Sequence, residues 1–208
     1  MIPAKFDKDD VKIIKDESIF RGFFKLSRYL LKHKLFGGGW SPELEREIFL
    51  KHEAAAAIVY DPIHDLIGLV EQFRVGMVGS ENHSSPWSLE GVAGMVEAGE
   101  SPEELLRREL LEEAGITHAE LIHITSMYPS PGSSNEYIHC YCALSDLSKA
   151  GGLFGLAHEG EDICFHVLPA EQVLGAMLQS RANNGATLIG LMWLKEQRPR
   201  MRAESQKE

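Results

Sequence analysis

Residues 94–116 read G-M-V-E-A-G-E-S-P-E-E-L-L-R-R-E-L-L-E-E-A-G-I, and their spacing predicts one helix that opens at Ser101 and stops at Gly115. Ser101 is a good N-cap, Pro102 suits the first helical position, and Glu104 completes an S-x-x-E capping box. Gly115 suits the left-handed residue that ends a helix. Between these signals Glu109, Glu112 and Glu113 stand three and four residues apart, so a helix gathers their carboxylates on one face. Leu106, Leu110 and Ala114 form an adjoining apolar arc that can pack on a sheet, with Leu105 nearer the acidic side.

Carboxylates so placed repel one another. At ~4 Å each like-charged pair costs about 1 kcal/mol in water and about 4 kcal/mol at an effective dielectric of 20. Either the face is fully solvated, which is the ordinary outcome for an arbitrary E-x-x-E-E, or a cation neutralises it. Hard oxygen ligands of this kind suit Mg²⁺ or Mn²⁺, which keep some waters and leave positions open for phosphate oxygens. The surrounding residues favour the cation. The pattern G-x5-E-x7-R-E-U-x-E-E-x-G-U, with U aliphatic, is filled at every fixed position from Gly94 and Glu100 to Ile116. It resembles the signature of the Nudix hydrolases.

The whole chain is compatible with that resemblance. Its 208 residues can bury a substantial core, as one larger domain or one domain with a small appendage. A hydrophobic fraction of 44% and a charged fraction of 25% are ordinary for a soluble globular protein. The net charge of −10 argues against a general binder of nucleic acid or anionic membrane, though not against a small anionic substrate met by bound cations. No run approaches a membrane span, and Met1 to Asp10 lacks the apolar core of a signal peptide. Cys140 and Cys142, predicted on one strand face, read as reduced core residues of a cytoplasmic protein, and C-x-C without a second ligand pair is not a zinc site. The nine histidines are scattered and read as structural.

Along the chain, residues 1–53 predict a small β domain and residues 54–208 a mixed α/β domain. Strands are expected at Val11–Ile14, Phe20–Leu35 and Leu44–Leu50, the last also readable as a helix capped by Ser41. Ala54–Tyr60 and Leu66–Phe73 flank an Asp61-Pro62 turn and read as a hairpin. Beyond the box helix, strands are expected at Leu121–Met127, Tyr137–Ala143 and Ile163–Leu168, and helices near Ala170–Gln179 and Thr187–Glu196. The tail R-P-R-M-R-A-E-S-Q-K-E reads as charged and frayed.

The resemblance extends beyond the box. R-G-F-F near the N-terminus, E-R-E-I-F, E-Q-F-R, S-P-G-S-S-N-E and G-L-A-H-E-G-E-D-I look like the bacterial ADP-ribose pyrophosphatases, a Nudix group that hydrolyses ADP-ribose to AMP and ribose 5-phosphate. The resemblance implies an α/β/α Nudix sandwich with a mixed sheet, plus an N-terminal antiparallel three-stranded sheet exchanged within a homodimer. It also implies that Mg²⁺, with Mn²⁺ as substitute, binds as two to three ions per site. The carbonyl of Ala93 and the side chains of Glu109, Glu112 and Glu113 match the metal ligands, and Arg108 matches the residue that holds a ligand carboxylate in place. An ion pair on the helix surface is the plainer role for Arg108. In H-E-G-E-D, Glu159 matches the general base and Glu161 a further metal ligand, on a loop whose Gly151, Gly152, Gly155 and Gly160 suit closure. A solvated acidic loop is the alternative there, and His158 and Gly160 stand where some relatives carry other polar residues.

Substrate contacts carry over in the same way. Arg46 and Arg74 match residues at the diphosphate or terminal ribose, and Phe23 or Phe24 the aromatic that stacks on adenine, with an apolar core role open to one of the pair. Ser130, Gly132 and Glu136 match a loop at the terminal ribose, with Glu47 and the backbone at Met95 as weaker matches. Two other readings stay open: a hydrolase preferring a different nucleoside diphosphate sugar, and a non-catalytic ADP-ribose sensor. The complete set of box carboxylates disfavours the sensor.

Overall fold

A computed structural model describes residues 2–79, 81 and 85–206, and within it the chain forms two compact units. The first comprises Met1–His52 with Ser130–Glu136, and the second Glu53–Pro129 with Tyr137–Glu208. The segment 130–136 thus groups with the N-terminal residues, although it lies beyond the 53/54 boundary read from sequence.

The first unit is a three-stranded antiparallel sheet of β1 (Val11–Arg21), β2 (Lys25–His33) and β3 (Leu44–Leu50), in that order. The expectation of one strand over Phe20–Leu35 is corrected here. Gly22–Phe24 forms a tight turn, closed by the Gly22 N–H donating to the Phe24 carbonyl at 3.0 Å, and separates two strands. The strand reading of Leu44–Leu50 prevails over the helix, because the Ser41 hydroxyl accepts from the His33 N–H at 3.1 Å and donates to the Pro42 carbonyl at 2.8 Å. Every residue of β1 is exposed, including Val11, Ile13, Ile14, Ile19 and Phe20.

The second unit is an eight-stranded mixed sheet with helices on both faces. Its strands are β4 (Ala54–Asp61), β5 (Leu66–Phe73), β6 (Trp87–Glu90), β7 (Val92–Met95), β8 (Glu120–Met127), β9 (Ile138–Leu144), β10 (Gly152–Phe154) and β11 (Ile163–Pro169). The path β10-β11-β5-β4-β9-β8 carries one parallel pair, β4 with β9, while β6 pairs with β5 and β7 with β4. The short strands β6, β7 and β10 have no counterpart in the expectations from sequence. Three helices complete the unit: α1 (Pro102–Ala114), α2 (Ala170–Ala176) and α3 (Gly185–Ser205).

The central strand β4 explains the layering. A strand alternates its side chains between faces, so a fully buried strand must supply apolar groups to both. Ala55, Ala57 and Val59 pack with Leu105, Leu106, Leu110 and Ala114 of α1. Ile58 and Tyr60 pack on the opposite side with Val173, Leu174, Leu191 and Leu194 of α2 and α3. Helix α1 has both expected ends. Ser101 accepts from the Glu104 N–H while the Glu104 side chain returns to Ser101, and Gly115 closes the helix at φ 66°.

The turn between β4 and β5 is fastened by two aspartates. Asp61 Oδ1 accepts from the N–H groups of Ile63 and His64, and Oδ2 from the Leu147 N–H and the His64 ring, at 2.8–3.0 Å. Asp65, in the left-handed region at φ 60°, accepts from Tyr60 and Arg198 and pairs with Arg202. The last two partners correct the expectation of a frayed tail: α3 runs through Pro199 to Ser205, held by this ion pair and by buried Met201.

Both carboxyls lie below their usual range. For Asp61 the gathered N–H donors outweigh burial, which acts the other way, and for Asp65 the leading cause is Arg198. A carboxyl depressed in the folded state stabilises fully above its unfolded value of about 3.9, and the contribution is lost as pH falls through the folded value. We therefore expect Asp61→Asn, which turns an amide toward N–H donors, to lose about 2 kcal/mol in urea unfolding at neutral pH. The gap from the parent should narrow below about pH 4, where the parent's own carboxyls protonate.

Candidate active site

The packing of α1 settles where its acidic residues go. Because Leu105, Leu106, Leu110 and Ala114 occupy the sheet-facing core, Glu109 and Glu113 are drawn into the same desolvated layer beside β7, and Glu113 is 2% exposed. Its Oε2 accepts from the Ala93 N–H at 3.1 Å and its Oε1 from Gln72 Nε2 at 3.3 Å. Glu109, one turn earlier, accepts from Arg108 Nη1 at 2.8 Å. It lies so close to β7 that a Cβ on Gly94 would fall 2.1 Å from its Oε1. Glu112 is less buried and also accepts from Arg108 Nη1, at 3.3 Å, while the rest of the guanidinium reaches both oxygens of Glu100 at 3.2 and 3.3 Å.

Burial dominates the electrostatics. It pushes the Glu113 carboxyl up to about 8, with repulsion from Glu109 and Glu161 adding and the Ala93 N–H and Arg74 opposing. Burial likewise pushes Glu109 up to about 7, opposed by Arg108 and reinforced by Glu112 and Glu161. Arg108 is held above its usual range, chiefly by its hydrogen bond to Glu100. Arg74 donates through Nε and Nη2 to Glu90 Oε2 at 3.0 and 2.6 Å, so that although burial opposes its charge, it too lies above its usual range.

The other residues singled out in the sequence are distributed unevenly. Glu161 is within electrostatic reach of Glu109, Glu113 and Arg74, and its Oε2 accepts from the Leu156 N–H at 3.1 Å. Glu159 sits on a one-turn 3-10 helix, exposed, with the His158 ring 3.7 Å away, and among the described residues it makes no hydrogen bond to the box carboxylates. The base of this loop is tied down, since the Gly155 N–H donates to the Glu112 carbonyl at 3.1 Å and the Glu161 N–H to the Leu156 carbonyl at 3.3 Å. All four loop glycines, 151, 152, 155 and 160, have positive φ. Met95 ends β7 and is exposed.

Arg46, Glu47, Phe23, Phe24, Ser130, Gly132 and Glu136 belong to the first unit. Phe23 and Phe24 meet edge to face with centroids 4.9 Å apart, Phe23 being 80% exposed. Lys51, which sequence reasoning passed over, stands 5.4 Å from the Phe24 ring centroid and 3.0 Å from Glu136 Oε1. Arg46 donates to the Glu45 carbonyl at 2.7 Å, Glu47 pairs with Arg28 at 3.2 Å, and Ser130 faces Ser133 at 3.2 Å. Gly132 borders open space. Gln72 and Glu90 were also passed over. Both are polar residues that the structure buries, Gln72 on β5 and Glu90 on β6, and no local pattern in the sequence marks them.

The donor set fits a hard divalent cation. Carboxylates buried next to one another are stable only when paired or coordinated, and the absence of a side chain at Gly94 leaves Glu109 room beside the β7 backbone. A different group, Asp61, His64 and Asp146, brings ligand-type atoms within 4.8 Å of one another. There the Asp61 oxygens already accept four N–H groups, which uses the lone-pair directions a cation would need.

Comparison with known proteins agrees with this geometry. The NUDIX domain model matches residues 50–187. The chain is 45% identical over 191 residues to an ADP-ribose pyrophosphatase of Haemophilus influenzae, covering 91% of this chain and 88% of that one. It is 40% identical over 194 residues to an ADP-ribose pyrophosphatase of Escherichia coli (strain K12), covering 93% and 92%. A GDP-mannose pyrophosphatase of Escherichia coli O9:H4 is 30% identical over 188 residues, covering 89% and 95%. Divalent-metal dependence is general among Nudix hydrolases, in keeping with the buried carboxylates of α1. With a family match spanning most of its length and relatives similar over 91% and 93% of it, this chain belongs to the Nudix hydrolases.

Proposed function

We propose that this chain hydrolyses the diphosphate of ADP-ribose to AMP and ribose 5-phosphate, with Mg²⁺ as its ion and Mn²⁺ as substitute. The observation that carries the reading is Glu113, 2% exposed and buried beside Glu109 on α1, in a chain 45% identical to an ADP-ribose pyrophosphatase. Glu109, Glu112, Glu113, Glu161 and the Ala93 carbonyl hold two to three ions in this reading. Ions held there would supply charge neutralisation for the diphosphate. Arg108 keeps Glu109 and Glu112 in place through the hydrogen bonds it already makes. Glu159 accepts the proton of the attacking water, a role its exposed position on a glycine-flanked loop permits. Among the described residues Glu159 makes no hydrogen bond to the box carboxylates, and in this reading the loop closes on substrate.

Arg74 and Arg46 bind the diphosphate or terminal ribose, Phe23 or Phe24 stacks on adenine, and Ser130, Gly132 and Glu136 contact the terminal ribose, with Glu47 and the Met95 backbone assisting. The first unit serves as a dimerisation sheet exchanged between two chains, and the second carries the hydrolase. Support for the dimer comes from β1, an edge strand exposed on both faces with five large apolar side chains bare. Cytoplasmic residence goes with three free cysteines, two of them buried, and among the described residues no helix is long and apolar enough to cross a membrane.

The 30% identity to a GDP-mannose pyrophosphatase favours one second reading, a preference for another nucleoside diphosphate sugar. Comparing kcat/KM for ADP-ribose and GDP-mannose in saturating Mg²⁺ separates the two, and we expect ADP-ribose to lead by at least about tenfold, or roughly 1.4 kcal/mol. Glu159→Gln should lower kcat by about 10²–10⁴-fold with little change in KM, whereas a loss confined to KM reassigns Glu159 to binding. For Gly94→Ala, the added methyl displaces the Glu109 carboxylate, so kcat should drop about 10²-fold while thermal unfolding stays within a few degrees of the parent. Sedimentation of the parent should give twice the mass of one chain, and Ile13→Lys with Phe20→Lys should give one. A parent that sediments as a single chain removes the dimer.

A further inference from the structure

Strand β5 places Gln72 on the α1 side of the sheet, two residues beyond core Val70, and buries it. Its side chain ends 3.3 Å from Glu113 Oε1. Toward the ionised carboxylate, which only accepts, the amide presents its nitrogen. The other oxygen, Oε2, takes the Ala93 N–H at 3.1 Å. Glu113 is therefore gripped through both oxygens by two neutral donors on different strands. We propose that Gln72 is a positioning residue for Glu113: it fixes the carboxylate plane by a hydrogen bond that leaves the charge, and one further lone pair on Oε1, for a divalent cation.

The choice of an amide follows from this role. An ammonium or guanidinium at position 72 would hold Glu113 more strongly but cancel the charge the ion needs, and the nearby cation is handled differently. Arg74, two residues on and just past the end of β5, is turned into Glu90 through Nε and Nη2. An apolar residue at 72 would leave Glu113 held from the β7 side alone. Outer partners that orient metal ligands typically change metal affinity or activity by about 10–100-fold when removed.

The proposal rests on Glu113 as a metal ligand, so the test carries an arm for that reading. Mn²⁺ binding to the protein without substrate is followed by electron paramagnetic resonance of the free ion, for the parent, Gln72→Met, Ser88→Ala and Glu113→Gln. Gln72→Met keeps length and volume but donates nothing. We expect it to weaken Mn²⁺ about tenfold or more and to lower kcat for ADP-ribose to a similar degree, with KM changed less than about threefold. Ser88 faces Gln72 across the β5–β6 ladder, and its buried hydroxyl has no hydrogen-bond partner among the described residues, so Ser88→Ala should leave both quantities unchanged. Unchanged Mn²⁺ affinity in folded Gln72→Met, with Glu113→Gln weakened, overturns the role of Gln72 alone. Equal losses in Gln72→Met and Ser88→Ala also overturn it, by tracing the effect to packing of the layer. Glu113→Gln binding Mn²⁺ like the parent overturns the underlying reading together with this one. Should Gln72→Met fail to fold, Gln72→Asn, which withdraws the amide by one methylene, carries the same expectation and the same refutation.

Discussion

Two carboxylates forced into a dry layer by the helix that bears them are the constraint around which the second unit is arranged. Helix α1 buries Leu105, Leu106, Leu110 and Ala114, and its pitch then places Glu109 and Glu113 where water is largely excluded. A buried ion without partners costs several kcal/mol, so the surroundings must supply donors or counter-charge. They come from three places: the Ala93 amide on β7, the Gln72 carboxamide on β5 and the Arg108 guanidinium on α1, while Gly94 leaves open the space that Glu109 fills. Each reaches the acidic pair from a different stretch of chain, which explains why β5, β7 and α1 must pack in one register.

The opposite face of the sheet carries no such burden. Ile58, Tyr60, Ile67 and Leu69 meet α2 and α3 in an apolar core, and the polar groups there serve to anchor rather than to react. Asp65 gathers Tyr60, Arg198 and Arg202, joining the end of the chain to the first hairpin of the unit. Thr187, near the start of α3, accepts from the Gly91 N–H at 3.0 Å, between β6 and β7. The helix farthest along the chain thus fastens the break between the two short strands that flank the acidic site.

What could be read in advance was local. The S-x-x-E box at Ser101 and the left-handed Gly115 lie within a few residues of the backbone they control, and both stand where the sequence put them. The hairpin at Gly22–Phe24 was hidden because its one turn residue, Gly22, is followed by two large aromatics rather than by a second turn-forming residue. Strands β6 and β7, four residues each, exist through pairing with β5 and β4, which no short window displays. The same holds for the tail, whose helix continues because Arg198 and Arg202 find Asp65 more than 130 residues away. Gln72 and Glu90 became legible only when α1 and Arg74 were seen against them.

The stitched base of the loop after β10 has a consequence for the two glutamates it carries. Hydrogen bonds at Gly155, Leu156 and Glu161 pin the ends of the segment together and to the last turn of α1, while between them the Glu159 N–H donates to the Leu156 carbonyl and the Gly160 N–H to the Ala157 carbonyl, both within the turn itself. Glu161 is therefore tied to the base of the loop through its own N–H and carboxylate, and Glu159 sits on a single 3-10 turn between those ties. If Glu159 acts as proposed, a movement of that turn alone would leave the bonds of Glu161 and Gly155 intact, so ligand could come and go without dismantling the place where ions would reside.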